Sequence, residues 1–477
     1  MSQLRFAFDP NRCTGCQACA MACVVESVFE KHGAPNFEVE KPFEPQMSFR
    51  KILTFNPWNV GALPVYHLSL ACNHCENPAC MEQCPASAYH LDEAIGAVIL
   101  NSDKCMGCKY CSWACPYDAP VFDHAEGVMK KCDFCIDRLR GEQHPACVVA
   151  CPVDALSVEE RVDAEKPGID HVDHQIPGFD PSPLGPSIRF EPVRATDVGL
   201  EAGSAVGLET FRHLTKNTGT EQAKISASSE WTLLGFTWLM TVLVALFGWH
   251  VLRNQAIAPI PYLITAMAAM GLSTLHLGRK RRMYRAIFNL RKSWLSREIA
   301  SISLFVGLSA SVLFVPMTMD WIGYLILSVG FIALFCVDQV YRVALRDGHA
   351  VFQSGGTVLS AFFLCSISIQ FLPAILFVGV IRAILVFRED RKSPVLLSVR
   401  LIGLLLPIGV VLGIQVDLIQ TGFIETNSGM VLGVLFMLTE LIGRIRFYQR
   451  LDVPSPRRAL RHELFRKMEL SNRPDPL

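Results

Sequence analysis

Sixteen of the chain's 18 cysteines lie between Cys13 and Cys151, and they fall into four groups of four. No other feature restricts the fold as much. Group three, Cys105, Cys108, Cys111 and Cys115, has the spacing C-x2-C-x2-C-x3-C and is followed by Pro116. Three thiols two residues apart wrap one small inorganic cluster in a tight loop. The fourth starts a turn of helix and points away, and the proline stops the chain folding back. This is a run that holds iron–sulfur cubanes, and where clusters come in pairs its fourth cysteine reaches the neighbouring one. Group one, Cys13, Cys16, Cys19 and Cys23, repeats the spacing but continues into Val24 instead of proline. Group two, Cys72, Cys75, Cys80 and Cys84, has a longer second gap and ends at Pro85. Group four, Cys132, Cys135, Cys147 and Cys151, has a long insertion before Cys147 and ends at Pro152.

Two other chemistries use cysteines in such numbers. Disulfides belong to oxidising compartments, but Met1–Asn11 has no apolar h-region, twin arginine or cleavage site. Zinc uses C-x2-C pairs, but needs neither a third cysteine two residues on nor a trailing proline. Reduced thiolates holding iron–sulfur clusters are the expectation. The last two cysteines, Cys336 and Cys365, sit in long apolar runs and read as small hydrophobes.

The formal net charge is zero, which conceals an asymmetry. Residues 1–160 carry 20 acidic and 12 basic side chains, a net of −8, whereas residues 231–477 carry 13 and 25, a net of +12. An acidic front and a basic, apolar back indicate two unlike parts and no nucleic-acid binding. The expected organisation is a four-cluster domain over 1–160, a Pro/Gly-rich linker over 161–230, a membrane domain over 231–448 and a basic cytoplasmic tail over 449–477. Within the first part, Val98-Ile99-Leu100 reads as a strand and 25–70 as a surface insertion. Ser187–Phe190 reads as a short strand in the linker.

From Trp231 onward, apolar segments of spanning length follow one another. The expected spans are 231–252, 258–277, 298–316, 321–341, 356–371, 373–388, 395–418 and 428–448. Lys and Arg concentrate in alternate loops. The loop 278–297 holds eight, Arg342 and Arg346 mark the next, and Arg388, Arg391 and Lys392 the third. The tail adds Arg450, Arg457, Arg458, Arg461, Arg466 and Lys467. The intervening loops are nearly empty. This alternation places both termini, and with them the cysteine domain, on the cytoplasmic face.

Ionisable residues within such spans are functional candidates. His276 and Glu298 flank the basic loop. Asp338 with Arg342, and Glu440 with Arg444, are four apart and read as structural pairs on one helix face. Arg382 reads as buried or as snorkelling to the inner surface. The spans contain only His250 and His276, which fall at opposite faces, so a haem held from both sides is not expected and a quinone site is.

With both halves read, the chain resembles members of the dimethyl sulfoxide reductase family of molybdenum enzymes. Residues 1–160 resemble its four-cluster electron-transfer subunit, an α+β duplicated ferredoxin-like iron–sulfur fold. Residues 231–477 resemble its quinol-oxidising anchor, an all-α polytopic domain of eight transmembrane helices. The anchor resemblance rests on Leu275–Arg279, Ser293–Ile299, Glu440–Arg444 and Phe447-Tyr448. Here the two are fused in one chain.

The resemblance implies crossed ligand sets, pairing group one with four and two with three. It assigns Cys13, Cys16, Cys19 and Cys151 to one cluster, and Cys132, Cys135, Cys147 and Cys23 to its neighbour. Cys72, Cys75, Cys80 and Cys115 hold the third, and Cys105, Cys108, Cys111 and Cys84 the fourth. All four are expected to be 4Fe-4S clusters, with His276 and Glu298 at a quinol site. The implied protein is a multi-pass subunit of a bacterial inner membrane. It passes electrons from the quinone pool to a separate molybdopterin-containing subunit of S-oxide, N-oxide or nitrate reductase type. Reverse flow from formate or polysulfide oxidation, a haem-bearing anchor and a zinc-stabilised scaffold remain alternatives.

Overall fold

The prolines after the cysteines decide where helices end. Group one lacks that proline, and its helix Ala18–Val24 (α1) runs on into a π-helical turn, Val25–Glu30. In group two the helix Ala79–Glu82 (α2) stops before Cys84-Pro85. In group three Tyr110–Ala114 (α3) stops before Cys115-Pro116. Group four carries Ile136–Arg140 (α4) in its insertion and Ala146–Val149 (α5) ahead of Cys151-Pro152. After each Cys-Pro, the third residue past the cysteine turns left-handed: Ser87 (φ 47°), Asp118 (54°) and Asp154 (44°). The residue two past the first cysteine does the same in all four loops: Gly15 (71°), His74 (42°), Gly107 (72°) and Phe134 (68°). The four groups thus share one backbone path, although only two place glycine there.

The computed structural model describes residues 3–30, 48–57, 59, 63–161, 176, 179, 183–194, 225–314, 320–342, 356–391, 393–415, 422–451 and 453–471. Most of the expected linker lies outside these residues. The chain forms two units, Met1–Gln222 with Pro454–Leu477, and Ala223–Val453.

In the first unit, Leu4–Phe8 (β1) is the middle of a three-stranded sheet. The hairpins between cysteine groups are Lys51–Phe55 (β2) with Tyr66–Leu70 (β3), Tyr89–Asp92 (β4) with Ala97–Leu100 (β5), and Val121–Asp123 (β6) with Val128–Lys130 (β7). Leu156–Glu160 (β8) pairs antiparallel to β1 and Ile188–Phe190 (β9) parallel to it, with Phe6 opposite both Val158 and Ile188. The strands read from Val98–Leu100 and Ser187–Phe190 are therefore present. The expected surface insertion over 25–70 is corrected in its second half. The hairpin β2–β3 places Phe55 and Leu68 fully inside the core, beside Phe6, Phe8, Phe134 and Leu156. Its alternating apolar side chains bury one face, as a half-covered hairpin requires. Residues 31–47 of that insertion lie outside the described residues.

The second unit is helical. Its helices are Trp231–Arg253 (α6), Pro259–Leu275 (α7), Trp294–Phe314 (α8), Asp320–Arg342 (α9), Gly356–Ser368 (α10), Leu372–Asp390 (α11), Pro394–Gln415 (α12) and Gly422–Arg450 (α13). Among the described residues, four are long and apolar enough to cross a membrane: α6, α8, Trp321–Arg342 of α9 and Pro394–Leu412 of α12. A fifth is reached if α7 counts with the 3-10 helix Lys280–Ile287, which bends away by 101°. Eight spans are thus not all met by length and apolarity. The described part of α10 has 13 residues, and Arg382, Arg388, Glu389 and Asp390 crowd α11. The helix α6 packs on α7, α9, α10 and α13. The indole N–H of Trp238 donates to the Met437 carbonyl at 2.8 Å. A Cβ on Gly248 would sit 2.5 Å from Cys365 Sγ, so α6 and α10 approach closely only because that position has no side chain. Cys336 and Cys365 are both buried.

The expected pairs along single helices are replaced by pairs between helices. Asp338 on α9 meets Arg444 on α13 at 3.7 Å, and Glu440 on α13 meets Arg382 on α11. Ser360 Oγ on α10 also donates to Glu440 at 2.6 Å. A buried charge needs its partner from whichever element faces it, and here the facing element is another helix. Arg342 instead donates to Gln339 at 3.1 Å. Arg382 is buried and does not snorkel.

The segment expected as a basic tail holds the helix Pro456–Ser471 (α14). Leu460, Leu464 and Met468, four residues apart, line one face and enter the core of the first unit against Phe55 and its neighbours.

Candidate functional site

Crossing of the cysteine groups is visible in which thiols face each other. Cys13 has the thiols of Cys19, Cys151 and Cys16 as neighbours. Cys135 faces Cys147 and Cys23, and Cys132 faces Cys23 and Cys135. Cys75 and Cys80 face Cys72 and Cys115 around a cavity that Lys131 also lines. Cys108 and Cys111 face Cys84 and Cys105. In each case the fourth member comes from the opposite group. Among the described residues, no three His, Cys, Asp or Glu side chains converge tightly enough for one metal ion. Neighbouring thiols at wider spacing suit a multi-atom cluster.

The sets are also adjacent in a fixed order. Cys19 lies near Cys147 of the second set, and Cys132 of the second lies near Cys72 of the third. The Tyr89 phenol lies between Cys111 and Cys84 of the fourth set and Cys80 of the third.

Burial, followed by repulsion from the other thiols, raises the Cys75 and Cys80 pKa values and pushes Cys135 up to about 12. Crowded buried thiols hold their protons unless positive charge is supplied, so the donor set fits cationic iron. The backbone prepares for thiolate sulfur as well. Gly107 N–H and Met129 N–H donate to Cys105 Sγ at 3.4 Å, Phe134 N–H to Cys132 Sγ at 3.4 Å, and Ala155 N–H to Cys151 Sγ at 3.2 Å. Such bonds are among the means by which proteins set cluster potentials.

Sequence reasoning missed two buried cations. Arg50 is 1% exposed, with its guanidinium 4.5 Å above the Phe6 ring and Nη1 donating to Ser69 Oγ at 3.0 Å. Burial opposes its charge, but Cys147, Cys132, Cys19 and Cys23 outweigh that and keep its pKa raised. Lys131 is 6% exposed; its Nζ donates to the Val98 carbonyl, to the Cys132 carbonyl at 2.6 Å and to the Cys72 thiol. Both act on His74. Burial, then Lys131 and Arg50, hold its pKa well below the ordinary value, so the ring is neutral. Val98 N–H donates to Nδ1 at 3.0 Å, which leaves the proton on Nε2. The position of Lys131 directly before Cys132 was the one sequence signal available. Arg50 fell within the segment read as an insertion.

In the second unit, His276 closes α7, and the basic 3-10 helix follows it. Glu298 is 5% exposed on α8 and has Asp338 on α9 as its charged neighbour. Tyr341 and Tyr448 share a 2.5 Å hydroxyl contact close by. The two residues read as a quinol site therefore stand at opposite ends of the α7–α8 connection, His276 where α7 ends and Glu298 in the first turns of α8, buried within the helix packing.

Residues 63–161 match the 4Fe-4S dicluster domain family. Together with the paired thiol loops, this makes the protein an iron–sulfur protein of the dicluster class with an apolar helical region attached. Over 165 residues it is 41% identical to one of the component chains of the anaerobic dimethyl sulfoxide reductase of Haemophilus influenzae, a match spanning 33% of this sequence and 73% of the relative. The corresponding component of the Escherichia coli anaerobic dimethyl sulfoxide reductase is 38% identical over 164 residues, 32% of this sequence and 72% of the relative. A component of the sulfite dehydrogenase of Allochromatium vinosum is 38% identical over 167 residues, 32% and 68%. The protein belongs to the family of dimethyl sulfoxide reductase iron–sulfur subunits, and its helical region extends the same polypeptide past the part those relatives share.

Proposed function

We propose that this chain oxidises membrane quinol and relays the electrons through four 4Fe-4S sites to a separate molybdopterin-containing catalytic subunit of S-oxide, N-oxide or nitrate reductase type. The observation that carries the reading is the series of four thiol sets in one acidic unit, each drawing its fourth member from the opposite cysteine group. The ligand sets are Cys13, Cys16, Cys19 and Cys151; Cys132, Cys135, Cys147 and Cys23; Cys72, Cys75, Cys80 and Cys115; and Cys105, Cys108, Cys111 and Cys84. Clusters held there would supply one-electron acceptor chemistry.

The protein's own residues do the rest. Oxidation of a quinol to a quinone releases two protons with two electrons, so a base must lie within hydrogen-bond reach. The Glu298 carboxylate takes a proton from one quinol hydroxyl, and the His276 imidazole orients or deprotonates the other. The loop charges support eight spans with both termini in the cytoplasm of a bacterial inner membrane, so protons leave on the side of the cysteine domain. With the acceptor reduced on that side too, turnover does not itself charge the membrane.

The test is quinol-driven reduction in the purified full-length protein. Wild type is expected to hold about sixteen iron atoms per chain, four for each cubane, and to bleach when a quinol analogue is added. Glu298→Gln is expected to keep its iron and lose most of that rate, while dithionite still bleaches it. About four iron atoms per chain, or a Glu298→Gln protein that bleaches at the wild-type rate, would overturn the reading.

A further inference from the structure

Among the described residues, Arg50 and Lys131 are the buried cations of the cysteine unit, and the relay described above leaves them without a role. Among the described residues neither pairs with a carboxylate, and Arg50 Nε and Nη2 find no hydrogen-bond partner. A buried cation without a counterion is strongly unfavourable. The thiols that act on Arg50 are Cys147, Cys132, Cys19 and Cys23, of the first and second sets, and the Ser69 hydroxyl that Arg50 holds is 3.5 Å from Cys19 Sγ. Those that act on Lys131 are Cys72, Cys80 and Cys132, of the third and second, and Lys131 lines one cavity with Cys72 and Cys80. The third junction, between the third and fourth sets, is filled by the phenol of Tyr89.

We propose that Arg50 and Lys131 are shared countercations at two successive junctions of the electron relay, each raising the reduction potentials of the cluster sites on both sides of it. The proposal rests on the ligand sets given above. A site built of four thiolates is anionic and gains negative charge on reduction. A fixed cation nearby stabilises the reduced form, the more so in a low-dielectric interior. A cation at a junction acts on both neighbours, and more strongly on the side that supplies more of its thiols, the second set for Arg50 and the third for Lys131. It also screens the repulsion between adjacent reduced sites. The fixed orientation of each side chain serves this role: Phe6 and Ser69 hold the guanidinium, and two carbonyls hold the ammonium.

The experiment is an EPR-monitored redox titration of the full-length protein. The variants are Arg50→Met and Lys131→Met, a milder pair Arg50→Gln and Lys131→Gln, and the charge-retaining pair Arg50→Lys and Lys131→Arg. Each neutral variant should lower two cluster midpoints, by about 59 mV for a tenfold change in a one-electron equilibrium. Lys131 variants should shift the sites of Cys72 and Cys132, and Arg50 variants those of Cys13 and Cys132. Charge-retaining variants should keep wild-type midpoints. Loss of iron confined to the neutral variants also supports the proposal, because the sites then require the charge and not the packing. Iron-loaded neutral variants with wild-type midpoints overturn it, as does equal iron loss in neutral and charge-retaining variants. Absence of cluster signals from the wild-type protein would instead remove the ligand sets themselves.

Discussion

Replacing Gly15 by alanine perturbs the first cysteine loop in two separable ways. The residue sits at φ 71°, and a Cβ built there would lie 2.7 Å from His67 Cε1 and 2.8 Å from Nε2. A left-handed conformation costs a residue with a Cβ about 1–2 kcal/mol. The His67 ring must also move, and its Nδ1 shares a 3.0 Å hydrogen bond with Thr54 Oγ1 between β3 and β2. Loss of that bond adds about 0.5–1.5 kcal/mol, for a total of about 1.5–3.5 kcal/mol. With a urea slope of about 2 kcal/mol/M, the midpoint for loss of visible cluster absorbance should fall by about 1 M. His67→Ala alone removes the same hydrogen bond, so the double variant should be about as stable as Gly15→Ala, and the two single losses should exceed the double loss by about 1 kcal/mol in a double-mutant cycle. A Gly15→Ala protein with the wild-type midpoint, or single losses that add in full in the double variant, would refute the reasoning.

Leu464→Ala removes a side chain that α14 buries in the core of the first unit. The expected loss is about 2–5 kcal/mol, the range for a buried leucine, read as a lower temperature for cluster release; a substitution at an exposed position of the same helix, Arg457→Ala, should leave it unchanged. Glu159 joins β8 to β1 and β9 through Arg5 at 2.7 Å and Arg189 at 2.8 Å. Burial alone would raise its pKa, but the hydrogen bonds from Arg189 and Arg5 outweigh that and hold it below the ordinary 4.5. A depressed carboxylate contributes its stability fully above the unfolded pKa and loses it as pH falls through the folded value. Denaturation midpoints should therefore fall below about pH 4.5 in wild type, and Glu159→Gln should lack that component of the acid dependence.

Much of the cysteine unit could be read from local chemistry. Spacing and the trailing prolines specify loops and helix ends because they act within a few residues. The contrast between Val24 and Pro85, Pro116 and Pro152 is visible in the sequence, and it is at Val24 that the helix α1 continues into a π-helical turn. The apolar segments from Trp231 likewise announce helices, because a long apolar run records burial directly. Their suitability as spans depends on charge and length together, and α11 shows how Arg382 inside an apolar run alters that.

What the sequence could not determine was which distant groups meet. Asp338 and Glu440 each had a basic residue four positions on, a local rule that favours pairing along one helix. Helix packing supplied other partners, and a buried charge takes the partner that faces it. The same holds for Arg50, which sits in a stretch without a cysteine yet ends among the thiols of two groups. It holds too for α14, whose Leu460, Leu464 and Met468 return the end of the described residues to the core around Phe55. The sequence by itself determined the chemistry of the thiol loops and the apolar helices, since both follow from short-range spacing and composition. The crossing of the thiols was legible only through the family resemblance, and the tertiary structure alone decided the placement of two cations among them, because contacts between distant segments depend on how whole elements pack.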